Sequence, residues 1–402
     1  MRLFFTVCCI LYSFCAIFVN AFGIASPEIR EFLGTTETQQ GLIVSFQSIG
    51  GLVSAIFLAL YGERFNKIRT ISLGMGAMAL SMVAVGLLPR LFPAAAGSFT
   101  AYAFLFTVLA LGGVGNATID LTMNSMVGEV FSGSKGVRIP VIHTFYGAGS
   151  MLVPLAFMLV IPLWSGAPGF TTPYLLLGLL SLVILAVYIV CGRKVIPQSP
   201  YADMEKQRRN ACANPAEVFR SPYAWILMLI AFLYTAFQLG LSAWLSTYNI
   251  QQMGLSPTFS GYLISAYFSL SLVMRLVTPK FIDRLTPAGN YALFGIASAA
   301  SFLVAMVSGN SVVFILFLLL GGFLQGGLVP SFMIIASNAF PERQSSAASF
   351  FLIALSIAGF IVPALMGVII EAVSFRFAMI FVVICLFLSA LVLWLKNRPA
   401  KA

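Results

Sequence analysis

Residues 111–154 read LGGVGNATIDLTMNSMVGEVFSGSKGVRIPVIHTFYGAGSMLVP. The stretch predicts the end of one long apolar helix, a short basic loop and the start of a second helix. The first helix carries Asp120, and the second carries His143, the only histidine of the chain. Asp120 lies about 13 residues before the loop centre near Gly133, and His143 lies about 10 residues after it. At about 1.5 Å per residue, an antiparallel hairpin places both side chains at a similar depth.

A polar stripe runs along the first of these helices. Asn116, Asp120 and Asn124 are spaced four residues apart, so they share one helical face. A carboxylate at the centre of a membrane span costs on the order of 2.5–3.5 kcal/mol on insertion scales. We therefore expect this stripe to face water or a polar partner.

The composition indicates a polytopic membrane protein. Of the 402 residues, 60% are hydrophobic and 8% are charged, far outside the range of soluble domains. The apolar runs are continuous rather than alternating, which favours helices over strands. The predicted fold class is all-α, with twelve transmembrane helices. Their approximate ranges are 3–25, 39–60, 70–89, 100–128, 139–162, 173–192, 222–248, 258–279, 288–308, 311–336, 346–370 and 377–395.

The basic residues predict the orientation in the lipid bilayer. If the chain starts inside, all but four of the 22 lysines and arginines lie in cytoplasmic segments. Arg30, Arg90 and Arg376 fall outside, and Arg275 lies within a span near its inner end, where we expect it to snorkel. This bias predicts a multi-pass plasma-membrane protein with both termini in the cytoplasm. The net charge of +10 is thus a topology signal, and we expect no nucleic-acid partner.

The two halves of the chain repeat each other. A long basic loop at 193–221 separates an N-terminal six-helix bundle at 1–192 from a C-terminal six-helix bundle at 222–402. The pair Gly112-Gly113 in the fourth span recurs as Gly321-Gly322 in the tenth, 209 residues later. Parallel duplication of this kind predicts a binding site where the two bundles meet.

The loop after the second span resembles a family signature. Residues 58–74 read LALYGERFNKIRTISLG, which is similar to the acid–arginine loop motif of the major facilitator superfamily. In that superfamily the motif helps to latch the outward-facing state. The resemblance implies this latch role for the following residues, the last two belonging to the second half: Glu63, Arg64, Lys67, Arg69, Glu129, Asp283 and Arg284.

Several spans resemble the fucose-permease-like branch of that superfamily. The segments are IDLTMNSM (119–126), VIHTFYGAGSMLVP (141–154), FLYTAFQLGLSAWLSTY (232–248) and LGGFLQGGLVPSFMIIASNAFPER (320–343). Two positions depart from the pattern, because Gln238 stands where many relatives have Glu and Gly23 where the fucose permease has Asp. Proton coupling therefore rests on Asp120, with His143 modulating it or contacting solute.

The same resemblance implies that spans one, four, seven and ten line a central cavity. The candidate solute-binding residues are Asn116, Asn124, Gln238, Gln325, Asn20, Tyr234, Trp244 and Tyr146. Neutral amides at mid-membrane can hydrogen-bond a polyol, although a glutamine can equally join two helices.

The predicted function is secondary active transport of a small polar solute, most simply a sugar, by alternating access with proton symport. A drug or metabolite exporter working by proton antiport, or an uncoupled uniporter, remains the alternative of the same fold. One histidine and no nucleophile–base motif argue against an enzyme. We expect a monomer without cofactor or metal, whose partners are the solute, the proton and the lipid bilayer.

Overall fold

The structure is a computed structural model that describes residues 2–62, 65–131, 135–160, 168–195, 220–339 and 344–396. Within these residues the chain forms thirteen helices. They are α1 (Arg2–Leu33), α2 (Glu37–Tyr61), α3 (Lys67–Leu91), α4 (Phe99–Val130), α5 (Lys135–Val160), α6 (Thr171–Val195), α7 (Pro222–Gln251), α8 (Pro257–Leu285), α9 (Pro287–Val307), α10 (Ser311–Gln325), α11 (Leu328–Ala339), α12 (Gln344–Ala372) and α13 (Phe375–Lys396).

The twelve predicted spans are confirmed, since twelve helical segments are long and apolar enough to cross a membrane. One detail was not predicted: the tenth span consists of two helices rather than one. It breaks at Gly326 and Gly327, between α10 and α11. At Gly326 the backbone lies directly against the carbonyl oxygen of Ser271 on α8, an approach that leaves no room for a β-carbon.

Short polar loops set the helix starts. Thr36 caps α2 in a reciprocal arrangement, in which the Gln39 amide donates to the Thr36 hydroxyl at 3.3 Å and the Thr36 amide donates to the Gln39 side chain at 3.1 Å. Asn66 caps α3 and Ser98 caps α4 with their side-chain oxygens. These caps satisfy backbone groups that lipid could not.

The helices form two six-span bundles, each with its own hydrophobic core. One cluster of buried side chains runs from Phe4 to Tyr188 and the other from Ala224 to Leu393. The bundles meet through α1 with α7, α2 with α12, and α5 with α8. The second span thus packs on the eleventh, and the fifth span packs on the eighth. The second and eighth spans are equivalent members of the two bundles, and so are the fifth and eleventh, so the two contacts are related by the repeat. This symmetry agrees with the duplication expected from the sequence.

The first and last described residues, Arg2 and Lys396, lie at the same end of the bundles, because twelve crossings return the chain to its starting side. We call that end proximal and the opposite end distal. The distal end is closed by contacts between the bundles. There Glu371, in the last turn of α12, accepts hydrogen bonds from the backbone amide of Thr38 at 2.8 Å and from its hydroxyl at 2.6 Å. Thr38 lies in the first turn of α2, where the helix dipole favours a carboxylate.

Candidate functional site

Asp120 is the centre of a hydrogen-bonded network between α1, α4 and α5. The Tyr12 hydroxyl on α1 donates to the half-buried Asp120 carboxylate. One turn further along α4, the Asn124 amide donates to the Asp120 carbonyl oxygen at 2.9 Å and lies 3.4 Å from the Tyr12 hydroxyl. The carboxylate is therefore held by a neutral donor of the same bundle.

His143 joins the network from α5. Its Nε2 lies 3.0 Å from the Asn124 side-chain oxygen. That oxygen can only accept, so Nε2 carries the proton and donates. The imidazole also stands edge-on to the Tyr12 ring, with centroids 5.3 Å apart and planes at 88°. The structure thus brings Asp120 and His143 together as opposite ends of one chain of hydrogen bonds, which runs through Tyr12 and Asn124.

The second bundle reaches this network through Arg275. Its guanidinium on α8 donates from Nη1 to the His143 carbonyl oxygen at 3.2 Å. The expectation that Arg275 snorkels to the membrane surface was wrong, because the half-buried side chain points across the bundle interface. Its charge also acts on the hydroxyls of Tyr146 and Tyr234. Tyr146 in turn packs against Tyr12, with ring centroids 5.5 Å apart.

Two candidate residues of α7 face the same region. Tyr234 is half-buried and interacts electrostatically with Arg275. Gln238 follows one turn later on the same helical face and is also half-buried. Within the part of the chain that the structure describes, no side chain hydrogen-bonds the Gln238 amide. A free amide one turn from Tyr234 is available to a solute.

The remaining candidates lie further from Asp120. Gln325, at the end of α10, donates to the Tyr267 hydroxyl, while its side-chain oxygen is buried without a described partner. Asn20 donates to Ser150 at 3.2 Å and lines a small cavity between α1, α7 and α8 with room for about one water molecule. On α4, the Asn116 side-chain oxygen is buried, again without a described partner.

Trp244 is placed differently from its prediction as a solute contact. Only 1% of the residue is exposed, and its indole nitrogen lies 3.4 Å from the Pro363 carbonyl oxygen. The ring also packs edge-on against Phe375 at 5.7 Å. Burial in the core between α7, α12 and α13 leaves Trp244 no face toward a solute in this conformation.

The predicted charge latch is only partly within the described residues. Lys67 is buried and donates to the Ser125 hydroxyl on α4, whereas Arg69 and Arg284 are exposed. Glu63 and Arg64, and the side chains of Glu129 and Asp283, lie outside what the structure describes. The latch therefore stays a prediction.

Twelve spans in two repeated bundles, with a polar network at their interface, are the architecture of a membrane transporter. The Major Facilitator Superfamily model matches residues 8–297 and 289–402, and the chain belongs to that superfamily. The resemblance seen in the sequence is thereby confirmed at the level of the superfamily.

Individual relatives support the same assignment. The chain is 25% identical over 331 residues to the inner membrane transport protein YdiM of Escherichia coli (strain K12), covering 80% of this chain and 76% of that protein. Its fold matches a bacterial homolog of the human lysosomal transporter Spinster with a TM-score of 0.78, at 14% identity over 99% and 98% of the two chains. The E. coli fucose:proton symporter FucP matches with a TM-score of 0.67, at 16% identity over 98% of both chains. The two solved structures share the fold of this chain, in agreement with the superfamily match and the twelve spans.

Replacing Gln238 by Ala should weaken solute binding by about 1–2 kcal/mol if its amide bonds a solute hydroxyl. The melting temperature of the solute-free protein should change little, because no described side chain depends on this amide. Solute titration and thermal unfolding of the purified variant measure the two effects. Gln251→Ala, at the exposed end of the same helix, is the matched control. A lowered melting temperature with unchanged affinity would assign Gln238 to helix packing.

Proposed function

We propose that this chain is a secondary transporter that moves a small polar solute by alternating access, coupled to proton symport through Asp120. The proposal rests on one observation, the series of hydrogen bonds that links Asp120, Tyr12, Asn124 and His143. Arg275 joins this network to the second bundle. An intramembrane carboxylate in such a setting marks a proton or ion pathway in many membrane proteins. FucP, which shares the fold, is described as a fucose:proton symporter, and this supports the symport class.

The geometry suggests how protonation would couple to movement. When ionised, Asp120 accepts from the Tyr12 hydroxyl and keeps that ring turned toward α4. A protonated Asp120 gains a donor and loses its charge, so its bond from the Tyr12 hydroxyl weakens and that hydroxyl turns more readily toward Asn124 or a solute. Loss of the charge also lowers the cost of packing the interface without water. Protonation would therefore favour the closed intermediate through which solute and proton cross together.

The two bundles supply the alternating movement. We propose that both termini are cytoplasmic, so the closed distal end faces outside and the conformation described here is shut toward the exterior. Opening that end requires α2 to leave α12 and Glu371 to release Thr38. The solute site lies between the bundles, with Gln238 and Tyr234 on one side and Tyr146 and Asn124 on the other. A proton descending 100 mV supplies about 2.3 kcal/mol, enough for roughly fifty-fold accumulation of a neutral solute.

Proton uptake by purified protein in liposomes tests this proposal. A pH-sensitive dye inside the vesicles reports protons that enter when a solute is added outside without an imposed gradient. The solutes are neutral sugars such as fucose and xylose, and hydroxylated acids such as gluconate and glycerate. We expect the vesicle interior to acidify and the exterior to become more alkaline. This change should require both the protein and one particular solute. Solute entry without any proton movement would instead establish a uniporter.

A further inference from the structure

We propose that the transported solute carries a carboxylate group and that Arg275 is the residue that binds it. The proposal rests on the transport function proposed above and narrows its substrate from polar solutes in general to hydroxylated monocarboxylates. It departs from the neutral sugar expected from the sequence. Three features of Arg275 support this proposal. They are its depth in the interface, its lack of an ion-pair partner among the described residues, and the tyrosine hydroxyls with which its charge interacts.

The position of Arg275 is that of the proton-coupling network. Arg275 lies ten residues before Leu285, the last residue of α8, and Asp120 lies ten residues before Val130, the last residue of α4. Both helices end at the proximal side of the bundles, so each side chain sits about 15 Å from that end. The hydrogen bond from Arg275 to the His143 carbonyl oxygen confirms that they share a depth. The guanidinium therefore occupies the interface in which alternating access places a solute.

Arg275 is half-buried between the bundles and has no anionic partner among the described residues. Its Nε is buried without a hydrogen-bond partner, and it forms no ion pair with any carboxylate among the described residues. Asp120 is engaged by Tyr12 instead. By contrast Arg30, nearer the distal end, holds Glu37 at 2.5 Å. An unpaired cation inside a membrane protein is costly, so it is retained where a ligand supplies the counter-charge.

The chemistry around Arg275 selects the class of anion. A guanidinium presents five donors in a planar fork that matches a carboxylate with two parallel hydrogen bonds. One donor is used on His143, which leaves the rest for a ligand. The hydroxyls of Tyr146 and Tyr234 lie in the field of the same charge, and Gln238 follows Tyr234 on α7. These neutral donors and acceptors suit the hydroxyl groups of a solute whose acid group is held by Arg275.

A charge balance follows from this assignment. One carboxylate anion carried with one proton on Asp120 moves no net charge across the membrane. Transport should then respond to a pH gradient and be insensitive to membrane potential. A neutral sugar carried with a proton would instead produce an inward current. The presence or absence of a current thus separates the two substrate classes for any solute that the protein transports.

The experiment compares matched acids and neutral polyols on the purified protein. The pairs are gluconate with sorbitol, glycerate with glycerol, and lactate with propane-1,2-diol. Each is added at millimolar concentration while the melting temperature is recorded, since a ligand of the native state raises it by mass action. At least one acid should raise the melting temperature, and its neutral partner should not. The stabilising acid should then enter proteoliposomes with proton uptake and without current.

Variants of α8 identify the responsible residue. Arg275→Gln should weaken binding of the acid by roughly 10- to 100-fold, because a charge-assisted hydrogen bond is lost. Arg275→Lys should restore part of it, since it keeps the charge but not the fork. Lys280→Gln, exposed on the same helix, should bind as the wild type does. The wild-type series alone decides the solute class should Arg275→Gln fail to fold.

Three results would overturn the proposal. The first is that polyols stabilise the protein and the matching acids do not. The second is that the wild type and Arg275→Gln bind the acid equally well. The third is that no acid of the panel stabilises the protein. In the first of these, proton uptake driven by the polyol would leave the proposed symport standing. Absence of proton uptake with a transported acid would instead contradict the symport while leaving the carboxylate site in place.

Discussion

Asp120→Asn is expected to abolish proton-driven accumulation of solute while leaving solute exchange across the membrane intact. Asparagine resembles the protonated acid in shape and charge, and its side-chain oxygen can still accept from the Tyr12 hydroxyl. In the wild type, a gradient of about one pH unit supports about tenfold accumulation for each proton carried. In the variant the internal and external concentrations should become equal. Proteoliposomes with an imposed pH gradient measure accumulation, and preloaded vesicles measure exchange.

Glu31→Gln provides the matched control for that experiment. Glu31 is an exposed carboxylate on α1, so its replacement removes one charge without touching the network around Tyr12. This variant should accumulate solute as the wild type does. If Asp120→Asn also accumulates solute normally, Asp120 only holds Tyr12 in place and the symport proposal fails. If Asp120→Asn is folded but neither accumulates nor exchanges solute, Asp120 has a structural role in the transport cycle instead.

Gly41→Ala is expected to hold the distal end open and to slow transport severely. A methyl group on Gly41 of α2 would collide with the carbonyl oxygen of Pro363 on α12, and would lie 3.1 Å from the Ala364 Cα. These are backbone atoms that cannot rotate away. Overpacking of this kind costs about 1–3 kcal/mol, which shifts a two-state equilibrium roughly 5- to 150-fold. Only conformations with α2 and α12 in contact pay that cost.

Cysteine accessibility measures this shift. Ser242→Cys on α7 lies beside Gly23 of α1 at the closed distal interface, and an impermeant maleimide should label it faster when Gly41 carries a methyl group. The matched control is Gly51→Ala, on the same helix and facing the same partner. There the nearest atom is the Ser356 hydroxyl oxygen at 3.5 Å, an ordinary contact. Equal labelling and equal transport in the two glycine variants would show that α2 and α12 do not separate during the cycle.

The spans were predictable because hydrophobicity alone determines which segments cross lipid. The break in the tenth span was not, since sequence offers the same signal elsewhere. Gly50-Gly51 lies within α2 and Gly112-Gly113 within α4, and both helices continue through their glycine pairs. A backbone neighbour does not distinguish the broken pair, because Gly50 and Gly113 approach carbonyl oxygens of distant segments just as Gly326 approaches that of Ser271. The broken pair differs in its proline: Pro330 has no N–H to bond the Gly326 carbonyl oxygen. A proline alone is not sufficient either, since α12 continues through Pro363.

The candidate site was predictable in its ionisable members but not in its geometry. Asp120 and His143 stand out by rarity alone in a chain this apolar. Tyr12 does not, since it is one of 13 tyrosines, and its contact with Asp120 joins residues 108 positions apart. The charge of Arg275 was visible in the sequence, but the direction of its side chain was not. The position of a residue within an apolar run does not show whether its side chain faces lipid, water or the other bundle. The misplacement of Trp244 has the same cause, because burial in a core and exposure to a cavity look alike in sequence.

The division of the tenth span has a consequence for how the protein opens locally. α11 has 12 residues, about half of what a membrane span requires. It is held by neighbours such as Asn290 of α9, whose amide donates to the Ser331 hydroxyl at 2.6 Å. No continuous ladder of backbone hydrogen bonds ties α11 to α10 across the two glycines, so the angle between the two helices can change without breaking one. The proximal half of this span can therefore tilt as a helix while the distal half stays packed.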